Sequence, residues 1–532
     1  MQNRLNVLMA QINPTVGAIT ENTNKIIDCI HKNQKEHDLI VFPELALTGY
    51  PPEDLLLRGE LFQRIEEALK RIQNHTKACF VIVGHPSKEH DLCYNSATIF
   101  HNQTQLKRYH KQTLPNYGVF DEKRYFSAGK PDVCIFNVKN YHIALCICED
   151  LWSEGPIERN IKEGCDILLC INASPFDYEK YDRRKKLVQK YAQKGPIIIY
   201  VNQVGGQDEL VFDGQSFAMN PNGEITALAP AFKETYSTVT IEGQNVNGAI
   251  SPLLPEEALI YEALVCGLKD YIHKNHFPGV ILGLSGGIDS ALTLAIAVDS
   301  LGKERVHAVM MPSRFTASMS SEDALKQLND MGVSYTTLPI ENTFKVILET
   351  LAPSFQGLKK DTTEENIQAR IRGLFLMALS NKTGNMVLTT SNKSETAVGY
   401  STIYGDMVGG LAVLKDVYKT QIYKLARYRN KQSHVIPERV LVRPPSAELS
   451  ENQTDQDTLP EYDILDAIVT LYMEQNKSAE DIITKGYPSE VVYRIIKMIK
   501  QNEYKRRQSA PGIKITPRSF DRDWRYPITN HF

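Results

Sequence analysis

The chain lacks a dominant charge. Its 532 residues carry 60 Lys and Arg against 63 Asp and Glu, a formal net of −3. That balance argues against a general nucleic-acid binder, which needs a basic face. It also lacks a long apolar run. No stretch approaches the ~18 residues that a membrane helix needs, and Met1 to Ala10 has no charged start leading into a long apolar segment. The paired C-x-x-C spacings of zinc sites are missing, and the nine cysteines are scattered and odd in number. No repeat or low-complexity tract is visible. These absences predict a soluble, reduced, cytoplasmic protein with neither nucleic acid nor membrane as partner.

What is present is a rhythm of short apolar strands and amphipathic helices. At roughly 100–200 residues per domain, and up to about 250 for α/β domains, the length predicts two large domains. In the first half, strands are predicted at 5–12, 39–42, 79–84, 96–101, 106–111, 133–138, 142–148, 167–171, 197–202 and 212–219, and long helices at 21–35, 54–73 and 180–193. The alternation points to an α/β layered fold. The stretch "IEGQNVNGAISPLLPEE" has Gly, Asn and two prolines without periodicity and reads as a linker, here bounded as 246–257 between domains 1–245 and 258–532. Beyond it come a helix over 256–274, strands at 279–284 and 305–311, and helices after each. The second of these helices has the capping pattern Ser320-x-x-Asp323 and a stop at Gly332. Strand–helix–strand–helix order predicts a parallel sheet with right-handed crossovers.

The turn between the strand at 279–284 and its helix reads "GLSGGIDSAL". Backbone N–H groups of a Gly-rich turn at a helix start cradle an anion, and Ser285 and Ser290 add hydroxyls. The common nucleotide loop has Lys-Ser or Lys-Thr after its last glycine, whereas this one has Asp289-Ser290. A carboxylate beside phosphate makes sense as a magnesium ligand. The string resembles the pyrophosphatase-type loop of adenylating ligases, which split ATP into AMP and pyrophosphate. The resemblance implies ATP at Gly283, Leu284, Ser285, Gly286, Gly287, Ile288, Asp289 and Ser290.

Downstream, "TTSNKSETAVGYSTIYGDMVGGLAVLKDVYKT", "ENIQARIRG", "MPSRFTASMSSEDA", "PPSAEL" and "YKRRQSAPGIKITPRSF" resemble the core of the NAD synthetase family. That resemblance implies ATP contact for Thr390. It implies deamido-NAD contacts for Asn366, Arg370, Glu395, Asp406, Lys419 and Lys505, and Mg2+ at Asp289 and Glu395. Ser446 matches more loosely, since the family usually reads Thr-Ala-Asp there.

Three strings stand out in the first half. "LIVFPELALTGY" places the carboxylate of Glu44 in an apolar stretch, where it needs a partner. "RYHKQTLPNYGVFDE" carries Lys111 at the end of a basic run. "YHIALCICEDLW" carries Cys148 at the end of an apolar strand, with Cys146 on the same face. Taken singly, each has a structural explanation: a turn acid, a solvated edge, a packed cysteine. Together they could supply a thiol nucleophile with its base and a positive neighbour at strand ends. In this order they resemble the Glu-Lys-Cys amidohydrolases of the nitrilase superfamily. The resemblance implies Glu44 as general base, Cys148 as nucleophile and Lys111 at the oxyanion. It also implies glutamine contacts at Tyr117, Ser174 and Lys180, or Arg183 in place of Lys180, with Glu122 in support of the lysine.

The pair of domains resembles the family of glutamine-dependent NAD synthetases. The fold implied is a nitrilase-like αββα sandwich followed by a Rossmann-like parallel-sheet ATP-pyrophosphatase domain. The implied function is amidation of adenylated deamido-NAD by ammonia released from glutamine and guided along a closed path. A homo-oligomer, at least a dimer through the second domain, is the expected assembly. Two rival readings remain open: an amidating ligase with another carboxylate acceptor, and a nucleotide-sensing protein without catalysis.

Overall fold

The computed structural model describes residues 4–450 and 453–530. It divides into two compact units, with the division after Pro255.

Two sheets form the middle of the first unit. One runs in the order Asn245–Gly248, Thr235–Glu242, Arg4–Gln11, Leu39–Val41, Phe80–Glu89, Leu92–His101 and Thr104–His110. Arg4–Gln11, Leu39–Val41 and Phe80–Glu89 are parallel. The other runs Ile225–Leu228, Phe217–Met219, Ile197–Asn202, Ile167–Asn172, Tyr141–Ile147 and Ile135–Val138. Its centre is parallel, and Ile167–Asn172 ("ILLCIN") is buried at every position. Such a strand has both faces covered and cannot alternate. Val7, Met9, Val41 and Ile82 of the first sheet share one core with Ile143, Leu145, Leu169 and Ile199 of the second. Helices Ile19–Asn33 and Gly59–His75 cover the first sheet through Ile26, Ile30, Ile65 and Ile72. Helices Glu154–Lys162 and Lys180–Ala192 cover the second through Ile157, Val188 and Tyr191. The layers are α, β, β, α, as the sequence predicts.

Strands Val204–Gln207, Ile225–Leu228 and Thr235–Glu242 are not among those predicted, and two predicted segments differ. The strand predicted at 212–219 is two strands. Leu210–Asp213 forms a hairpin with Val204–Gln207, and Phe217–Met219 joins the second sheet. The chain turns at Gly214 (φ +66°). There the Gln11 side chain replaces the sheet ladder, its Oε1 accepting from both the N–H and the hydroxyl of Ser216 at 2.9 Å. The proposed linker also starts too early. Asn245–Gly248 is an edge strand paired antiparallel with Thr235–Glu242, with Val246 buried. A four-residue strand with one inward apolar side chain leaves no period to read.

The second unit opens with the helix Glu256–Lys274. Its sheet is parallel throughout, in the order Ser334–Thr337, Val306–Met310, Val280–Gly283, Met386–Thr389 and Leu411–Ala412. Successive strands step one way from Val280–Gly283 and then restart on its other side at Met386–Thr389. Ligands of open α/β sheets lie at the carboxyl ends of the strands flanking such a reversal. Ser320 does not cap its helix. The helix runs Ser318–Met331, with Ala317 before it and no side-chain cap. The Ser320 hydroxyl instead donates to Glu448 Oε1 (2.5 Å) and accepts from Arg443 (2.7 Å). Its stop at Gly332, in the left-handed region, is as predicted. Among the described residues no helix is long and apolar enough to cross a membrane.

Candidate active sites

In the first unit Glu44, Lys111, Cys148 and Ser174 each lie just beyond the carboxyl end of a strand: Leu39–Val41, Thr104–His110, Tyr141–Ile147 and Ile167–Asn172. Glu44, Lys111 and Cys148 are all buried. The ammonium of Lys111 donates to Glu44 Oε1 (2.7 Å) and Glu122 Oε1 (2.8 Å). Glu44 accepts further from the Asn95 amide (2.7 Å) and the Ala173 N–H (2.8 Å). Glu122 also accepts from the Tyr50 hydroxyl at 2.9 Å. Being occupied with Lys111 and Tyr50, Glu122 supports the lysine. The basic run does not put Lys111 on a solvated edge.

Cys148 opens a short 3-10 turn, Cys148–Leu151, with φ at +43°. Burial pushes its thiol well above the ordinary range. Glu44 adds to the rise and Lys111 opposes it. A raised thiol favours the protonated sulfur at neutral pH, so any attack by it would require a base. Burial tends to lower the Lys111 ammonium, but Glu122 and Glu44 outweigh this and hold it charged. Burial lifts Glu122 to about 7.

The remaining first-unit candidates surround this group. The Tyr117 hydroxyl donates to Glu149, next to the cysteine, at 3.0 Å. Ser174 Oγ accepts from Arg184 at 3.2 Å, and Arg184 is locked to Asp213 at 2.8 Å. Lys180 lies over the Trp152 ring, 4.9 Å from its centre, and has no ion pair among the described residues. Burial, with Arg184 nearby, brings its ammonium down to about 8. Arg183 is half-exposed and paired with Asp177.

In the second unit a cavity of about 290 Å3 opens at the sheet reversal. It is lined by Gly283, Leu284, Ser285, Gly287, Ile288, Asp289 and Ser290, and across from them by Thr390, Glu395, Asp406 and Lys419. Gly286 turns away at φ +82°, and a Cβ there would meet the Ser320 carbonyl at 2.2 Å. Only glycine fits this position. The loop hydroxyls bond within the loop: Ser285 Oγ lies 3.1 Å from Ser290 Oγ and accepts from the Gly287 N–H at 3.2 Å. The Lys419 ammonium donates to Asp289 Oδ2 (2.5 Å) and Glu395 Oε1 (3.0 Å). Asn392 donates to Asp289 Oδ1 at 2.9 Å and caps the helix of Glu395 by accepting its N–H. Burial raises Glu395 to about 7 and Asp406 to about 6. No group of three or more His, Cys, Asp or Glu among the described residues could hold a metal ion. Two carboxylates suffice for a magnesium ion that takes its other oxygens from phosphate and water.

Asn366, Arg370 and Lys505 do not line this cavity. Asn366 accepts from the Thr402 hydroxyl at 2.7 Å, and Arg370 donates to the Ile403 carbonyl at 3.2 Å. Lys505 donates to the carbonyls of Gly399 and Ser401 at 2.8 Å. All three hold the 399–406 turn, next to Asp406. Ser446 lines the cavity.

A carbon-nitrogen hydrolase family model matches residues 7–250, and an NAD synthase model matches residues 260–509. The chain is 47% identical to the glutamine-dependent NAD(+) synthetase of Acinetobacter baylyi, covering 98% of both chains. It is 45% identical to that of Aquifex aeolicus, covering 99% of this chain and all of the relative. The chain belongs to the glutamine-dependent NAD(+) synthetase family. The solved Acinetobacter baumannii synthetase, in complex with ADP, superposes with a TM-score of 0.81 at 46% identity over 99% of each chain. The Cytophaga hutchinsonii synthetase shares the fold, with a TM-score of 0.84, at 23% identity over 99% of this chain and 98% of that one.

Several members of these synthetase-family sites escape sequence reasoning. Asn95, on the strand Leu92–His101, binds Glu44, and Tyr50, in the loop after Glu44, binds Glu122; neither carries a local signal. Glu149 follows the cysteine directly, yet nothing in its neighbourhood separates it from a surface acid. Asp455 lines the cavity and accepts from Tyr462 at 2.8 Å. For Asn392, the three-residue spacing to Glu395 is a signal that could have found it as a cap.

Proposed function

We propose that this chain makes NAD+ from deamido-NAD, ATP and glutamine, releasing AMP, pyrophosphate and glutamate. The observation that carries the reading is one chain holding two built sites of complementary chemistry. One has a thiol, a carboxylate and an ammonium; the other has an anion-cradling turn facing paired carboxylates.

In the first site Glu44 takes the proton of the Cys148 thiol as Sγ attacks the glutamine amide carbon. Lys111, fixed by Glu44 and Glu122, faces the oxyanion of the tetrahedral intermediate. Collapse breaks the C–N bond, and the proton held by Glu44 goes to the leaving ammonia. Glu44 then activates water to release glutamate from the thioester. Lys180 suits the glutamine carboxylate, because Arg183 is already paired. Tyr117 and Ser174 complete the pocket.

In the second site the carboxylate of deamido-NAD attacks the α-phosphorus of ATP, and pyrophosphate leaves into the turn at 283–290. Ammonia then attacks the acyl adenylate and AMP departs. Mg2+, held through Asp289 and Glu395, would neutralise phosphate charge. Thr390 contacts ATP and Asp406 the pyridine carboxylate. Asn366, Arg370 and Lys505 hold the turn beside the substrate. A homo-oligomer through this unit fits the exposed Leu374 and Val346, and light scattering would measure its mass.

The test is NAD+ formation by purified protein, with glutamine or ammonium chloride as nitrogen source. Product from both sources supports the reading. Glutamine hydrolysis and AMP release with no NAD+ would turn the search to another carboxylate acceptor.

A further inference from the structure

The turn at 283–290 contains no cationic side chain, so any side-chain charge that joins the proposed Mg2+ at the phosphate chain of a nucleotide comes from elsewhere in the cavity. Among the described residues three cationic side chains line the cavity: Arg372, Lys419 and Arg443. Lys419 is neutralised by Asp289 and Glu395. Arg443 is tied to Ser320 Oγ (2.7 Å) and the Gly286 carbonyl (3.2 Å), and pairs with Glu448 at 3.7 Å.

Arg372, on the helix Thr362–Thr383, differs. Its Nε donates to the Met311 carbonyl at 3.1 Å. Its Nη groups make no hydrogen bond, and no carboxylate lies within 4.0 Å of it, among the described residues. Met311 follows the strand Val306–Met310 and packs beside the loop: a Cβ on Gly283 would lie 3.2 Å from Met311 Cε. Burial lowers Arg372 to about 10, so it stays charged at neutral pH. A desolvated guanidinium held by Nε alone keeps the fork that recognises phosphate oxygens.

We propose that Arg372 donates its free Nη groups to the phosphate chain of ATP, supplying the positive charge that the turn at 283–290 lacks. This rests on the cavity being the ATP site. Binding of ATP, ADP and adenosine to the full chain tests it, using wild type, Arg372→Gln and Arg372→Lys. In Arg372→Gln, ATP and ADP should weaken by about 10- to 100-fold, the worth of charge-assisted hydrogen bonds, and adenosine by less than about two-fold. Arg372→Lys, which keeps charge without the fork, should fall between. The KM for ATP should rise while that for deamido-NAD holds. Glutamine hydrolysis in the same variants reports that the first unit is folded, and the thermal transition reports on the second. If Arg372→Gln fails to fold, the lysine variant decides. Equal weakening of adenosine and ATP, or unchanged ATP binding, overturns the proposal. Wild type that binds no ATP overturns the ATP reading of the cavity as well.

Discussion

The ammonium of Lys419 stands between Asp289 and Glu395, 2.5 Å from one and 3.0 Å from the other. The two carboxylates come from segments more than a hundred residues apart, and the buried lysine between them offsets their repulsion at a half-buried site. Asp289→Ala should therefore stop NAD+ synthesis with either nitrogen source, by more than about 100-fold, while glutamine hydrolysis continues. A normal ammonium-driven rate in that variant would remove Asp289 from the chemistry.

Cys148 serves the first site alone in this scheme. Cys148→Ala should abolish glutamine-driven NAD+ formation and leave the ammonium-driven rate within about two-fold of wild type. Measuring both rates on one preparation checks the division of labour, and loss of both would refute it.

In the proposed scheme Lys180 sets an alkaline limit. Burial, helped by Arg184, brings its pKa down to about 8. Below that pH it is charged and can hold a carboxylate; above it the charge is lost. The KM for glutamine should rise as pH passes 8, while ammonium-driven synthesis, fed by a growing fraction of free ammonia, does not fall. Lys180→Arg should move the rise to higher pH, and an unmoved profile would assign it to another group.

Lys111→Met leaves two buried carboxylates, Glu44 and Glu122, without their cation. Breaking such a buried pair costs about 3–5 kcal/mol. Thermal melting should show a large drop for the first unit, with glutaminase activity gone. The double variant Lys111→Met/Glu122→Gln should recover part of the melting temperature but none of the activity. Unchanged melting in Lys111→Met would mean that Glu44 and Glu122 find other partners.

The layered fold was legible because its strands are apolar runs and its helices amphipathic. The turn at 283–290 and the acid, lysine and cysteine each sit in a short contiguous string, and it was the resemblance of those strings to known families that singled them out. Less legible were features whose partners are remote in sequence. Gln11 replaces a ladder two hundred residues away and splits a predicted strand at Gly214. Ser320 satisfies its hydroxyl with Glu448 and Arg443 rather than capping its helix. Asn366, Arg370 and Lys505 matched family positions, but their spacing could not tell that they grip one turn rather than line the cavity.

Cys148 sits at φ +43°, a conformation that disfavours any side chain by about 1–2 kcal/mol relative to glycine. The strand before it thus delivers the sulfur by holding the backbone against its own preference. In consequence the proposed nucleophile is a weak point of the scaffold. Cys148→Gly should melt higher than Cys148→Ala, despite having the smaller side chain.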